Sequence, residues 1–75
     1  MTLRELRALN KKSVAEVANA LGVTERAIYN YEQGIRSINL EQVLILAKLF
    51  DISEKAVIEA QLNSITIRTP KKIIG

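Results

Sequence analysis

Residues 13–34, SVAEVANALGVTERAIYNYEQG, read as two short helices joined by a turn too tight to be an ordinary linker. Ser13 and Glu16 have the spacing of a capping box, in which hydroxyl and carboxylate each satisfy a backbone donor, so a helix is predicted to begin at Val14. Gly22 ends it, because glycine enters the left-handed conformation without a Cβ penalty. Thr24 is a second N-cap candidate, and the next helix runs to about Gln33 and stops at Gly34. Two helices separated by so short a turn cannot lie antiparallel and must cross steeply.

Working outward, the chain has 75 residues, enough for one domain with a single modest core. Apolar residues make up 48% but aromatics only 4%, the balance of a small helical bundle cored by Leu, Ile, Val and Ala. There is no cysteine and no histidine. That excludes disulfides, removes thiolate and imidazole metal ligands, and leaves the serines without a histidine base. No catalytic residue, metal site or cofactor is therefore expected. The longest apolar run, Val43 to Ala47, is far short of the roughly 20 residues a membrane span needs, and the N-terminus lacks a secretory apolar stretch. The expectation is a soluble, cytoplasmic chain with no membrane partner. Eleven basic against eight acidic residues give a net charge of +3, which suits an anionic partner without demanding one.

Before the central stretch, Thr2 and Glu5 have capping-box spacing, and Leu3, Leu6 and Leu9 share one side of a helix ending near Asn10. Arg7 lies at the edge of that stripe. In the second helix Val14, Val17, Ala18 and Leu21 recur at i, i+3, i+4 and i+7, the pattern of one buried face. After Gly34 comes a loop bearing Arg36, and then Asn39 and Gln42 at cap spacing open a helix over 40–50. That helix carries more large apolar residues than one stripe holds, so it is either central to the bundle or partly covered by a second subunit. Ser53 caps a last helix over about 54–61, in which Val57, Ile58 and Leu62 can close the core. From Asn63 the pattern changes: Ile65 and Ile67 alternate with Thr66 and Arg68 before Pro70 interrupts. A lone strand needs a partner, so residues 63–75 are either a dimerisation strand or a disordered tail. The predicted fold is all-α, a compact five-helix bundle over residues 1–62 with a short C-terminal β-strand as one reading of the extension.

The helix from Glu25 supplies the chemistry. With Ile28 taken as inward, Tyr31 and Glu32 flank it, while Arg26, Asn30 and Gln33 point away and Tyr29 and Ala27 lie at the borders. Arg can pair with guanine O6 and N7, and Asn or Gln with adenine N6 and N7. The competing interpretation is a solvated face on a protein-binding domain.

The stretch from Leu3 to Ser53 resembles the helix-turn-helix domain of the Cro and lambdoid repressor family, also called XRE. The matching residues are Leu3, Arg4, Leu6 and Arg7, then Val17-Ala18, Leu21-Gly22-Val23-Thr24, Ile28, Tyr31-Glu32 and Gly34, then Leu40-Glu41, Leu44, Leu46-Ala47 and Leu49. The resemblance implies five packed helices, a third helix lying in the DNA major groove, and dimers reading half-sites about 34 Å apart. It also implies a structural ion pair between Arg7 and Glu32. Three positions depart from the family pattern: Val14 stands where many members have a glutamine that touches the DNA backbone, Lys12 where an apolar residue is common, and Ile38 where proline is frequent.

The candidate contacts fall into two sets. Arg26 and Asn30, helped by Tyr29, Gln33 and Ala27, would read bases. Glu25 would either accept from cytosine N4 or merely complement the helix dipole. Lys11, Lys12, Ser13, the Val14 amide, Thr24, Arg36, Ser37 and Asn39 would position the protein on phosphates. The expected function is sequence-specific double-stranded DNA binding as a small transcriptional regulator, a repressor acting as a homodimer, with no small-molecule ligand. The alternative is an adaptor or antitoxin-like module whose main partner is a protein.

Overall fold

Five helices follow one another: α1 (Leu3–Leu9), α2 (Val14–Leu21), α3 (Glu25–Glu32), α4 (Leu40–Phe50) and α5 (Glu54–Arg68). The structure, a computed structural model, describes residues 1–68, and of 66–68 only the backbone.

Each helix starts where its first orphan amides find a side chain. Thr2, Ser13 and Asn39 form reciprocal capping boxes with Glu5, Glu16 and Gln42. Thr24 accepts from the Ala27 amide and Ser53 from the Ala56 amide. Left-handed residues end the helices or follow them: Gly22 at φ +69° and Asp51 at +55° as caps, Lys11 at +56° and Gly34 at +76° just beyond.

The core is a single cluster drawing Leu3 and Leu6 from α1, Val17 and Ala18 from α2, Ile28 and Tyr31 from α3, Leu46 and Phe50 from α4, and Val57 from α5. α5 packs on α1, α3 and α4, which makes it the element that ties the ends of the chain together. Ser64 Oγ accepts from the Leu3 amide at 3.1 Å and donates to the Ala60 carbonyl, while Asn63 donates to the Met1 carbonyl at 2.8 Å.

Several expectations change. The strand proposed from Ile65 and Ile67 is absent: α5 continues as helix to Arg68, across the division placed at residue 62. Its buried face is Val57, Ala60, Gln61 and Ser64, at i, i+3, i+4 and i+7, and docking of that face overrides the β-branched local preference. Of the 63–75 extension, residues 69–75 lie outside the described residues. Ile58 and Leu62, expected in the core, are 43% and 56% exposed, and the smaller Ala60 and Ser64 take the buried positions. Leu9 is 67% exposed because α1 ends there and the chain turns away through Asn10 and Lys11.

The two glycines differ in a way that stability measures. A Cβ on Gly22 would meet nothing within 4 Å, whereas on Gly34 it would sit 2.7 Å from the Ser64 carbonyl oxygen and 2.8 Å from Ile65 Cα. Gly22→Ala is expected to cost about 1 kcal/mol, the left-handed penalty alone. Gly34→Ala adds a backbone collision and should cost about 2 to 4 kcal/mol in thermal or urea unfolding. Equal losses at the two sites would contradict the close approach of α5.

Candidate nucleic-acid interface

The motif is assembled by local bonds. Ser13 Oγ accepts from the Glu16 amide, and Glu16 Oε1 takes the Ser13 amide at 2.8 Å. At the other end of α2, the Gly22 and Val23 amides fold back to Asn19 and Ala18 carbonyls, and Thr24 Oγ1 then caps α3. Between α2 and α3 there is no free length of chain. The Val14 and Ala15 amides, first in α2, have no partner within their own helix.

On α3, Ile28 and Tyr31 are buried, while Glu25, Arg26, Tyr29 and Gln33 are exposed. Arg26, Tyr29 and Gln33 stand at i, i+3 and i+7, one continuous outward row. Asn30 and Ala27 are half-buried, with Ala27 packed against the core. The Asn30 carbonyl accepts the Ile35 and Arg36 amides at 2.9 and 3.2 Å, so the following loop folds back onto the end of α3. Among the expected phosphate residues, Lys11, Ser13, Thr24, Arg36, Ser37 and Asn39 are exposed, Lys12 is half-buried and the Val14 side chain is buried. Thr24 and Asn39 each spend an acceptor on capping, which leaves the Thr24 hydroxyl and Asn39 amide hydrogens for an anion, whereas the Ser13 hydroxyl is engaged with Glu16.

Arg7 ties three segments. Its Nε and Nη2 donate to Glu32 Oε2 and Oε1 at 2.5 and 3.2 Å, and Nη1 donates to the Lys12 carbonyl at 3.2 Å. The side chains are 16% and 7% exposed, so the pair is shielded at the rim of the core. The bond from Glu32 holds the Arg7 guanidinium even more firmly charged than an ordinary arginine. α3 is thereby locked in rotation and height against α1 and the segment leading into α2.

Arg4 and Gln61, which had no assigned role, take part, and Gln42 gains a contact beyond its capping box. Arg4 is exposed and lines an open groove with Thr2, Glu5, Val14, Tyr29, Gln33 and the Arg7–Glu32 pair, which brings a cationic side chain beside the outward row. Gln42 Nε2 donates to the Tyr31 hydroxyl at 3.2 Å, and Gln61 donates to the Tyr31 carbonyl at 3.3 Å. The signal for Arg4 was its i, i+3 spacing to Arg7, and for the glutamines their positions on otherwise apolar helix faces. Among the described residues no group of acidic side chains is placed to hold a metal, and no helix is long and apolar enough to cross a membrane.

Residues 3–57 match the sequence model of the helix-turn-helix family. This chain belongs to that family. Its helix-turn-helix region is similar to proteins each provisionally named an HTH-type transcriptional regulatory protein. One from Thermococcus kodakarensis is 38% identical over 68 residues, covering 81% of this chain and 21% of the relative. One from Thermococcus gammatolerans is 39% identical over 49 residues, covering 65% of this chain and 16% of the relative. One from Pyrococcus furiosus is 28% identical over 71 residues, covering 91% and 22%. The chain thus spans about a fifth of the length of these helix-turn-helix relatives. No solved structure matches it.

Two substitutions test this architecture. Arg7→Ala leaves the Glu32 carboxylate shielded and uncompensated, and is expected to lower unfolding stability by about 3 kcal/mol. A melt within error of the wild type would show the pair to be solvated. The Ser13 amide, helped by its hydroxyl and by Lys12, holds the Glu16 carboxyl below the usual carboxylate range. A depressed folded-state value contributes stability that is present above the ordinary glutamate value and lost as pH falls through the folded one. Glu16→Gln should therefore flatten the acid limb of the melting profile between about pH 5 and 3, with no change of slope above about pH 6.

Proposed function

We propose that this chain binds double-stranded DNA sequence-specifically as a small transcriptional regulator, with α3 seated in the major groove. The observation that carries this reading is the outward row Arg26, Tyr29 and Gln33 on a helix fixed by the Arg7–Glu32 pair, with the exposed Arg4 beside it. Family membership and the names of the relatives support it. Arg26 and Asn30 choose the bases, with Tyr29, Gln33, Ala27 and Glu25 around them. Lys11, Lys12, Ser13, Thr24, Arg36, Ser37, Asn39 and the α2 amides engage phosphates, joined by Arg4. Lys11 stands in left-handed backbone just past α1, where lysine costs about 1 kcal/mol relative to glycine.

The regulator acts as a homodimer on two half-sites about 34 Å apart, and as a repressor by occupying its site in the cytoplasm. Leu40 and Leu44 on α4 and Ile58 on α5 are 74%, 48% and 43% exposed, apolar surface for a second copy to cover. That same surface favours a second reading, an adaptor or antitoxin-like module with a protein as its main partner.

Selection of bound sequences from random DNA, with light scattering on the same sample, separates the two. A two-fold symmetric consensus and a dimeric mass are expected, and the absence of any enriched sequence favours the adaptor. On the selected duplex, Arg26→Ala should cost about 1 to 3 kcal/mol and relax one base pair. Arg36→Ala or Arg4→Ala should weaken binding to all sequences alike and reduce the slope of log affinity against log salt by about 1. Lys11→Gly should bind more weakly without melting lower, which a purely structural lysine would not do.

A further inference from the structure

Gln61 lies on α5 beyond the family match, which ends at residue 57, and the residue is 6% exposed. Its Oε1 accepts the Ile38 amide at 2.8 Å and its Nε2 donates to the Tyr31 carbonyl at 3.3 Å. Tyr31 belongs to the last turn of α3, and Ile38 immediately precedes Asn39, the cap of α4. One amide therefore bridges both ends of the segment that carries Arg36 and Ser37. One turn further along α5, the Ser64 carbonyl and Ile65 Cα press on Gly34 so closely that no Cβ fits there. The same segment is held from the other side by the Asn30 carbonyl, which takes the Ile35 and Arg36 amides. A loop bonded at both ends, at its glycine and to the helix before it has little freedom to rearrange.

We infer that Gln61 is a positioning residue for DNA binding: through it, α5 holds residues 34–38 so that Arg36 and Ser37 meet the phosphate backbone while α3 occupies the groove. Gln61 itself does not touch DNA. The inference rests on the DNA-binding reading above. It makes the C-terminal half of α5 part of the recognition apparatus as well as of the core.

The test uses the full chain and the duplex obtained by selection. Gln61→Met keeps the volume and removes both bonds; Gln61→Glu keeps the acceptor for the Ile38 amide and loses the donor, and serves if the first variant does not fold. Val57→Ala, a core change on the same helix, controls for stability. Fluorescence anisotropy at a temperature where circular dichroism shows each variant folded should give about tenfold weaker binding for Gln61→Met. Its salt slope should fall by about 1, and Val57→Ala should match the wild type in both respects. Arg36→Ala should have little further effect in the Gln61→Met background, because the loop is already misplaced. Fully additive effects of Gln61→Met and Arg36→Ala, or unchanged affinity in the folded variant, overturn the inference alone. A wild-type chain that binds no duplex overturns the DNA reading and this inference with it.

Discussion

The rotation of α3 about its own axis depends on one guanidinium. Ridge-and-groove packing of Ile28 and Tyr31 sets how deep the helix sits, but apolar contacts alone tolerate small slips, whereas two parallel hydrogen bonds from Arg7 to Glu32 do not. The third bond, to the Lys12 carbonyl, extends the constraint to the entrance of α2. Both helices of the motif are thus referred to α1. A pair of this kind contributes geometry more than free energy, since the desolvation of both ions offsets much of their attraction. What it secures is a fixed direction for the row of Arg26, Tyr29 and Gln33.

A second layer of polar contacts acts from the opposite side. Tyr31 receives Gln42 at its hydroxyl and Gln61 at its carbonyl, so the last turn of α3 is held from α4 and α5 as well as from α1. Among the described residues no buried side-chain nitrogen or oxygen lacks a partner. Buried amides in so small a core would be costly if left without a partner, and here each has at least one. The motif is therefore a rigid insert in a frame built by the three other helices.

Much of this was legible in the residues. The caps at Thr2, Ser13, Thr24, Asn39 and Ser53 and the glycine stops at Gly22 and Gly34 are local chemistry, and each stands where its spacing placed it. The pairing of Arg7 with Glu32 came from resemblance, and only its position at the edge of the apolar stripes came from periodicity. What failed was decided at long range. Alternation of Ile65 with Ile67 signals a strand locally, yet Ser64 has a destination on α1, the amide of Leu3, that no window of sequence reveals. Likewise Ile58 is larger than Ala60, but along the stretch of α5 that approaches Gly34 and Tyr31 the inner face is taken by Ala60, Gln61 and Ser64. Asn30 is half-buried, and residues 35 and 36 fold back onto its carbonyl, another contact outside helical periodicity.

The docking of α5 along Gly34 also sets where the unit can be cut. The family pattern ends at residue 57, one residue position at which a designer would naturally truncate or fuse. Severing the helix there would strip the Leu3 amide of Ser64, the Ile38 amide of Gln61 and Gly34 of its backing. The smallest piece that retains these contacts runs to Ile65, so a chimera carrying this helix-turn-helix unit needs α5 at least through Ile65 in the graft, and a junction placed before it would cut the frame that holds Gly34 and Ile38.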